Sequence, residues 1–258
     1  MLSLLGLGAV GEAGKAIAGP FIFDPRAALC SDGRFSTDES GCIFANQRLF
    51  YRAGREIYIE QRFGQKGSRS TGAAVWEANL VLTRYMETLT PSYWKRKRVI
   101  ELGTGTGFAA ITAAMLGAAD VTATDGDDRV LELAAKNFEA NEAAFGSDLS
   151  TYLAQLRWGS SRDELEEAGI RPTYDVIVGA DLTYYKDNIY PLVVTLADLS
   201  SPDTDIFLAH KQRQEENETY LHEQLATFFD WEEIRGNERG LSWGKDHPSV
   251  VILRLRKR

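Results

Sequence analysis

The chain has 258 residues, enough for one large α/β domain with a substantial core. Its hydrophobic content of 44% and charged content of 26% are typical of a soluble globular protein. The net charge of −8 argues against a general nucleic-acid binder, which usually has a basic excess, and is compatible with a partner that presents lysines.

The first 48 residues show no clean periodicity, so we expect an irregular lead-in. Their apolar start, 1–18, has no basic residue before Lys15, which is not the pattern of a signal peptide. No run reaches the roughly 18 consecutive apolar residues of a membrane span. Cys30 and Cys42 lack metal-ligand spacing. We interpret them as reduced thiols of a cytosolic protein, with a single disulfide as the alternative.

A β-hairpin is predicted next, with strand-like runs at 49–51 and 57–59 around a turn that contains Gly54. The polar Gly/Ser segment 64–72 predicts a loop. We therefore divide the chain into an N-terminal extension with a hairpin and a main domain, residues 1–70 and 71–258.

A helix is predicted over 73–89, because apolar residues recur there at helical spacing until Pro91 ends the pattern. The basic run 95–98 follows directly. It is interpreted as a solvated approach to the first sheet strand, with a nuclear localisation signal as the alternative.

From residue 98 onward, strands and helices alternate, which is typical of a parallel, doubly wound α/β sheet. The predicted strands are 98–102, 120–125, 151–157, 174–180 and 204–210. The predicted helices are 107–117, 127–143, 160–168, 187–199 and 215–229. Two further β-rich runs, 231–235 and 249–255, are separated by turn residues and predict a closing hairpin.

A glycine-rich turn joins the first of these strands to its helix, with the sequence E-L-G-T-G-T-G from Glu101 to Gly107. Such a turn lets backbone N–H groups at a helix N-terminus face a ligand. A dinucleotide fingerprint would need its third glycine where Phe108 stands. The next strand ends in Asp125, where a carboxylate can hold two ribose hydroxyls. The alternative is a solvated loop acid, since Asp127 and Asp128 are close by in the chain.

Three more stretches accompany this turn: G-A-A-V-W-E-A at 72–78, L-R-W-G at 156–159 and G-A-D-L-T-Y-Y at 179–185. In this order, the four stretches resemble the seven-β-strand protein lysine methyltransferases of the methyltransferase-like 21 group, also called methyltransferase family 16. The resemblance is close from about 70 to 215. It implies a class I, Rossmann-like α/β fold whose seven-stranded, mostly parallel sheet has helices on both faces and an antiparallel last strand.

The resemblance also implies S-adenosyl-L-methionine as the cofactor and assigns residues to its site. The implied cofactor-binding residues are Trp76, Glu101, Gly103, Thr104, Gly105, Asp125, Trp158 and Ala180. Asp181 and Tyr184 match the D/E-x-x-Y/F motif of the family and are the implied catalytic residues. Asp181 would hold the substrate ammonium or take its proton, and Tyr184 would form one wall. The alternatives are a helix cap for Asp181 and simple packing for the two tryptophans.

The implied function is methyl transfer to the ε-amino group of a lysine in a protein substrate. Translation elongation factors and Hsp70-type chaperones are the candidate substrates by resemblance alone. The three histidines, including His210, lack ligand spacing, so no metal is expected. We expect a cytoplasmic monomer, with nuclear localisation as the alternative, and no nucleic-acid or membrane partner. Methylation of a small amine and a non-catalytic cofactor-binding module are the alternative functions.

Overall fold

The structure is a computed structural model that describes residues 45–62, 71–236 and 246–258. Nearly all of the predicted lead-in, most of the polar loop and the turn after Gly236 lie outside these ranges. Cys30 and Cys42 also lie outside them, so their predicted state stays a prediction.

The strands are β1 (Gln47–Arg52), β2 (Arg55–Glu60), β3 (Arg98–Leu102), β4 (Asp120–Asp125), β5 (Ser150–Gln155), β6 (Val176–Ala180), β7 (Asp205–Lys211), β8 (Phe229–Ile234) and β9 (Val250–Lys257). The helices are α1 (Glu77–Thr88), α2 (Pro91–Trp94), α3 (Phe108–Leu116), α4 (Asp128–Asn141), α5 (Arg162–Glu167), α6 (Lys186–Asp198) and α7 (Glu215–Leu225). Short 3-10 turns lie at Thr71–Ala73 and Glu142–Ala144. No helix within the described ranges is long and apolar enough to cross a membrane.

Seven strands form one sheet in the order β5-β4-β3-β6-β7-β9-β8. The strands from β5 to β7 are parallel, and β9 pairs antiparallel with both β7 and β8. This confirms the predicted seven-stranded, mostly parallel sheet and its antiparallel last strand. The chain order reverses on either side of β3, which is where open α/β sheets bind ligands beyond their strand ends.

Each face of the sheet has its own hydrophobic core. Neighbouring residues of β3 show the alternation, since Val99 packs into one core and Ile100 into the other. Helices α1, α3 and α4 cover the first face together with the hairpin, and α5, α6 and α7 cover the second. Helices on both faces, as predicted, explain why the central strands are apolar on both sides.

The predicted hairpin is formed by β1 and β2 and packs onto the first core. The ring of Phe50 lies 4.3 Å from that of Phe108, the first residue of α3. Two asparagines of α4 then pair with the backbone of β2. Asn137 accepts a hydrogen bond from the Glu60 N–H (2.8 Å) and donates to its carbonyl (3.0 Å). Asn141 repeats this pattern two residues earlier in the strand. The two asparagine side chains thus make the hydrogen bonds to β2 that a neighbouring strand would make.

Some predicted boundaries are wrong, and long-range backbone contacts explain the main error. Helix α1 begins at Glu77 rather than at residue 73. The Val75 N–H donates to the Gln61 side chain (2.7 Å), and the Arg62 N–H donates to the Ala73 carbonyl (2.9 Å). Residues 73–75 are therefore bound to the chain that follows the hairpin instead of entering the helix.

Two further boundaries differ from the prediction. Pro91, predicted only to end a helix, is the first residue of the short helix α2, a position that proline favours. Helix α7 ends at Leu225, four residues before the predicted end at 229, and β8 begins at Phe229. The division of the chain between residues 70 and 71 stays a prediction.

We expect Asn137→Ala to destabilise the fold by about 2 kcal/mol, because the buried Thr106 carbonyl and the partly buried backbone groups of Glu60 lose their partner. Chemical denaturation measures this loss. Glu139→Ala, on the exposed face of the same helix, is the matched control and should change stability little. Equal stability of the two variants would contradict a structural role for the Asn137 contacts.

Candidate active site

A cavity of about 610 Å³ opens at the carboxyl ends of β3, β4 and β6. Its volume lies within the range of small-molecule sites. Among the predicted site residues, those that line it are Trp76, Gly103, Thr104, Gly105, Asp125, Trp158, Ala180, Asp181 and Tyr184. The structure therefore brings together residues from five separate parts of the chain. Glu101 is the exception, since it does not line the cavity.

The glycine loop between β3 and α3 forms the floor of the cavity. Gly103 and Gly105 have φ angles of 62° and 55°, in the left-handed region. A Cβ atom on Gly103 would lie 2.5 Å from the side chain of Leu182, and one on Gly105 would lie 2.8 Å from the Gly72 carbonyl oxygen. The loop therefore needs glycine at both positions for its conformation and for its close approach to neighbouring segments.

Glu101 lies beneath this loop with no exposed surface. Its Oε2 accepts hydrogen bonds from the Thr104 hydroxyl (2.5 Å) and the Ala110 N–H (2.9 Å), so it joins β3, the loop and α3. Burial raises the pKa of the Glu101 carboxyl to about 8. The contacts of Glu101 thus fix the loop from below, and its predicted direct contact with a cofactor stays a prediction.

Asp125 ends β4 and is placed to receive donors from the cavity. Its Oδ2 accepts from the Gly105 N–H and its Oδ1 from the Asp127 N–H, both at 3.1 Å. Each carboxylate oxygen can accept a further hydrogen bond. Burial raises the pKa of Asp125. The neighbouring acid has a different role, because Asp127 accepts from the Arg129 N–H and caps α4.

Aromatic side chains line the cavity between these groups. The Trp76 indole N–H donates to the Thr71 carbonyl (2.7 Å) from the position just before α1. Trp158 follows β5 and faces Gly103, whose Cβ position lies 3.4 Å from the indole. The Tyr184 hydroxyl lies 3.0 Å from that of Thr71. The two tryptophans offer flat faces for an adenine ring or a positively charged sulfur.

Asp181 follows β6 in a left-handed conformation, with φ of 59°. Its N–H donates to the Ala209 carbonyl of β7 (2.8 Å). Both carboxylate oxygens accept from the Arg213 guanidinium, at 2.7 and 2.8 Å. The residue before α6, at its N-cap, is Tyr185, so the interpretation of Asp181 as the cap of that helix is wrong.

Sequence reasoning missed Arg213, which also lines the cavity. Its position offered a signal, because it comes two residues after β7 and β7 is the neighbour of β6 in the sheet. The carboxyl ends of neighbouring parallel strands meet at one edge. Only the pairing of strands, however, shows which side chain meets Asp181.

His210 lies outside the candidate site. It is buried at the end of β7, its Nε2 lies 2.7 Å from the Glu218 carboxylate, and it does not line the cavity. In the described part of the chain, no three His, Cys, Asp or Glu side chains are grouped so that they could hold a metal ion.

The residues of the cavity fit S-adenosylmethionine. A carboxylate with free acceptor capacity ends β4, the glycine loop exposes backbone at the start of α3, and indoles stand beside both.

Solved structures support the same fold. A methyltransferase from Pyrococcus furiosus matches with a TM-score of 0.52 and 18% identity, over 77% of this chain and 88% of that one. A protein assigned as a methyltransferase and solved with SAH matches at 0.56 and 14%, over 84% and 57%.

The fold and the site together define a class I methyltransferase that uses S-adenosylmethionine. The chain belongs to the lysine methyltransferase family, whose model matches residues 55–226. That match begins inside the hairpin, at the first residue of β2.

Named relatives agree with this assignment. Protein N-lysine methyltransferase METTL21A of Danio rerio is 37% identical over 179 residues, which are 69% of this chain and 77% of the relative. EEF1A lysine methyltransferase 3 of Xenopus tropicalis is 34% identical over 206 residues, which are 78% and 86%. The chain is a protein-lysine methyltransferase that takes its methyl group from S-adenosylmethionine.

We expect Glu101→Gln to stabilise the fold increasingly as the pH rises. The carboxyl has a pKa of about 8 in the folded protein against 4.5 when exposed. Between these values the unfolded chain loses a proton that the folded chain keeps, so the wild type loses stability with rising pH and the amide does not. Thermal unfolding at several pH values gives the difference, with Glu139→Gln as the exposed control. A difference that does not change with pH would contradict the shift.

We expect Asp125→Ala to weaken S-adenosylmethionine binding by roughly 10- to 100-fold, because hydrogen bonds to a charged group contribute on the order of 1.5–3 kcal/mol. Calorimetry measures the affinity and circular dichroism checks the fold. Asp128→Ala makes the same charge change at an exposed position of α4 and should bind as the wild type does. Unchanged binding by Asp125→Ala would place the ribose contact elsewhere, with Asp127 as the next residue to test.

Proposed function

We propose that Asp181 and Tyr184 form the substrate end of the cavity, where the lysine of the protein substrate meets the methyl group. The observation that carries this proposal is their position. Both follow β6 and line the same cavity as the glycine loop and Asp125. Asp181 is nearly buried, whereas Tyr184 is 38% exposed at the rim. A lysine side chain is long and thin, and it would enter past Tyr184 and end near Asp181.

When bound, S-adenosylmethionine supplies a methyl group that is already activated by a positively charged sulfur. Trp76, Gly103, Gly105, Asp125 and Trp158 are the residues that would hold it. The protein therefore has to exclude water and align the amine nitrogen with the methyl carbon, and such alignment contributes strongly to rate.

Asp181 can align the amine by accepting one of its N–H groups. Its pairing with Arg213 makes it a fixed acceptor, because a carboxylate that receives two guanidinium hydrogen bonds is held in one orientation. Of the two roles implied by the family motif, holding the amine is the one that this geometry favours.

Exposed tyrosines beside the cavity support a substrate of protein size. Tyr184, Tyr185 and Tyr190 are among the few large hydrophobic side chains that are exposed in the described part of the chain. The rings of the first two lie 4.5 Å apart. Clustered exposed aromatic residues are typical of surfaces that contact other proteins. A small amine would leave them without a role.

For the substrate itself, we propose a translation elongation factor. The support is that relatives from Xenopus tropicalis and Mus musculus are named EEF1A lysine methyltransferase 3 and align over 78% and 83% of this chain. An Hsp70-type chaperone, implied by the family resemblance, is the second candidate. We also propose that the chain is cytoplasmic and monomeric, which is compatible with either substrate.

Labelling in a lysate tests these proposals. The purified chain is incubated with isotope-labelled S-adenosylmethionine in a lysate that lacks the endogenous enzyme, and labelled bands are identified by mass spectrometry. We expect one main band, with the label on a lysine of the elongation factor. A labelled chaperone would select the second candidate. Label found only in small molecules would contradict a protein substrate.

We expect Asp181→Asn to lower the methylation rate at least about 100-fold while S-adenosylmethionine binding changes only a few-fold. The amide points an N–H group at Arg213 where the carboxylate accepted one, so the orientation of the acceptor is lost. Tyr184→Phe keeps the ring at the rim and should lower the rate less. Loss of cofactor binding in Asp181→Asn would assign Asp181 to the cofactor instead, and full activity would remove it from the site.

A further inference from the structure

Two acidic side chains near the substrate end of the cavity are paired with a cation. Asp181 pairs with Arg213 through two hydrogen bonds. Glu77, the first residue of α1, receives a hydrogen bond from the Lys211 ammonium (2.5 Å).

Glu218 of α7 is 2.7 Å from the His210 ring. These acids are close enough to act on Arg213, because the charges of Asp181, Glu77 and Glu218 all raise the pKa of its guanidinium. The hydrogen bond to Asp181 is the largest cause. Arg213 therefore stays positively charged throughout the range in which the enzyme works.

The protonation state of the substrate lysine explains why the pairing of Asp181 with Arg213 matters. Lysine has an ordinary pKa of about 10.4, and only its neutral form has the lone pair that can take a methyl group. An unpaired carboxylate beside the amine would stabilise the ammonium form and raise that pKa. Asp181 alone would thus position the substrate and at the same time make it unreactive.

Resting on the proposed position of the substrate lysine, we propose that Arg213 is a positioning residue that holds Asp181 and cancels its charge, so that lysine is bound as the neutral amine. Asp181 then accepts an N–H group of the amine without stabilising an ammonium. Methyl transfer forms the N–C bond as the S–C bond breaks, and the nitrogen afterwards releases its extra proton to water.

The dependence of the methylation rate on pH tests this role. The rate rises with pH as the bound lysine loses its proton. Arg213→Gln removes the positive charge and leaves Asp181 unpaired, so the rise should move to higher pH by about one unit or more. At neutral pH the rate should then fall about 10-fold and recover as the pH is raised. Asp181→Asn should move the rise in the opposite direction, since Arg213 then stands alone.

Two further variants separate charge from structure. Arg213→Lys keeps the charge but cannot make both hydrogen bonds, so the rise should stay near its wild-type pH while the maximal rate falls a few-fold. Arg171→Gln removes an arginine from an ion pair with Asp120, at the amino end of β4 and away from the cavity. It should change neither the pH of the rise nor the maximal rate. A purely structural role of Arg213 would lower the maximal rate and leave the pH of the rise unchanged, and this result would overturn the proposal.

Binding of n-butylamine, which has the end group of a lysine side chain, tests the same point without a protein substrate. The chain is saturated with S-adenosylhomocysteine, and the affinity for the amine is measured by NMR at increasing pH. The wild type should bind more tightly as the amine becomes neutral, whereas Arg213→Gln should lose this gain. A wild type that binds the ammonium form better would overturn the proposal. This test separates the two proposals, because the substrate protein can prove wrong while the amine still binds as expected.

Discussion

The cofactor end of the site depends on one buried carboxyl group. Glu101 has no exposed surface, and its bonds to Thr104 and the Ala110 N–H fix the glycine loop between β3 and α3. Two other contacts hold the same loop from its sides: the Gly105 N–H donates to Asp125, and Asn137 donates to the Thr106 carbonyl. The loop is therefore shaped by the protein before any ligand contributes, and a site that is preorganised in this way pays little ordering cost on binding.

The contacts of Asn137 also connect the N-terminal hairpin to the candidate active site. Asn137 bonds to both backbone groups of Glu60 in β2 and to the glycine loop, so a single side chain joins the N-terminal hairpin to the cofactor site. Gln61, directly after Glu60, accepts a hydrogen bond from the backbone N–H of Val75, just before Trp76. The hairpin thus helps to position the glycine loop and the segment that carries Trp76, although the hairpin itself does not line the cavity.

Sequence reasoning could predict the cofactor end because its signals are local. A strand, glycines at alternate positions and a helix follow one another within 20 residues, and Asp125 ends the very next strand. It could not predict the start of α1, where Gln61 overrides a favourable helical pattern through a contact 14 residues away. Nor could it predict the Asp181–Arg213 pair, whose members are 32 residues apart and meet only because β6 and β7 are neighbours.

The same difference between local motifs and long-range contacts explains why the family resemblance identifies the reaction better than the substrate. The residues that line the cofactor end of the cavity form short motifs, and these motifs carry the family resemblance. The acidic residues at the proposed substrate end are bound to partners from other parts of the chain, Asp181 to Arg213 and Glu77 to Lys211, and no short motif contains both members of either pair. Exposed tyrosines at the rim, such as Tyr185, add contacts that the reaction itself does not require. In the proposed function, binding of the partner protein depends on these outer residues, so a change in them would alter the choice of substrate without altering the cofactor site.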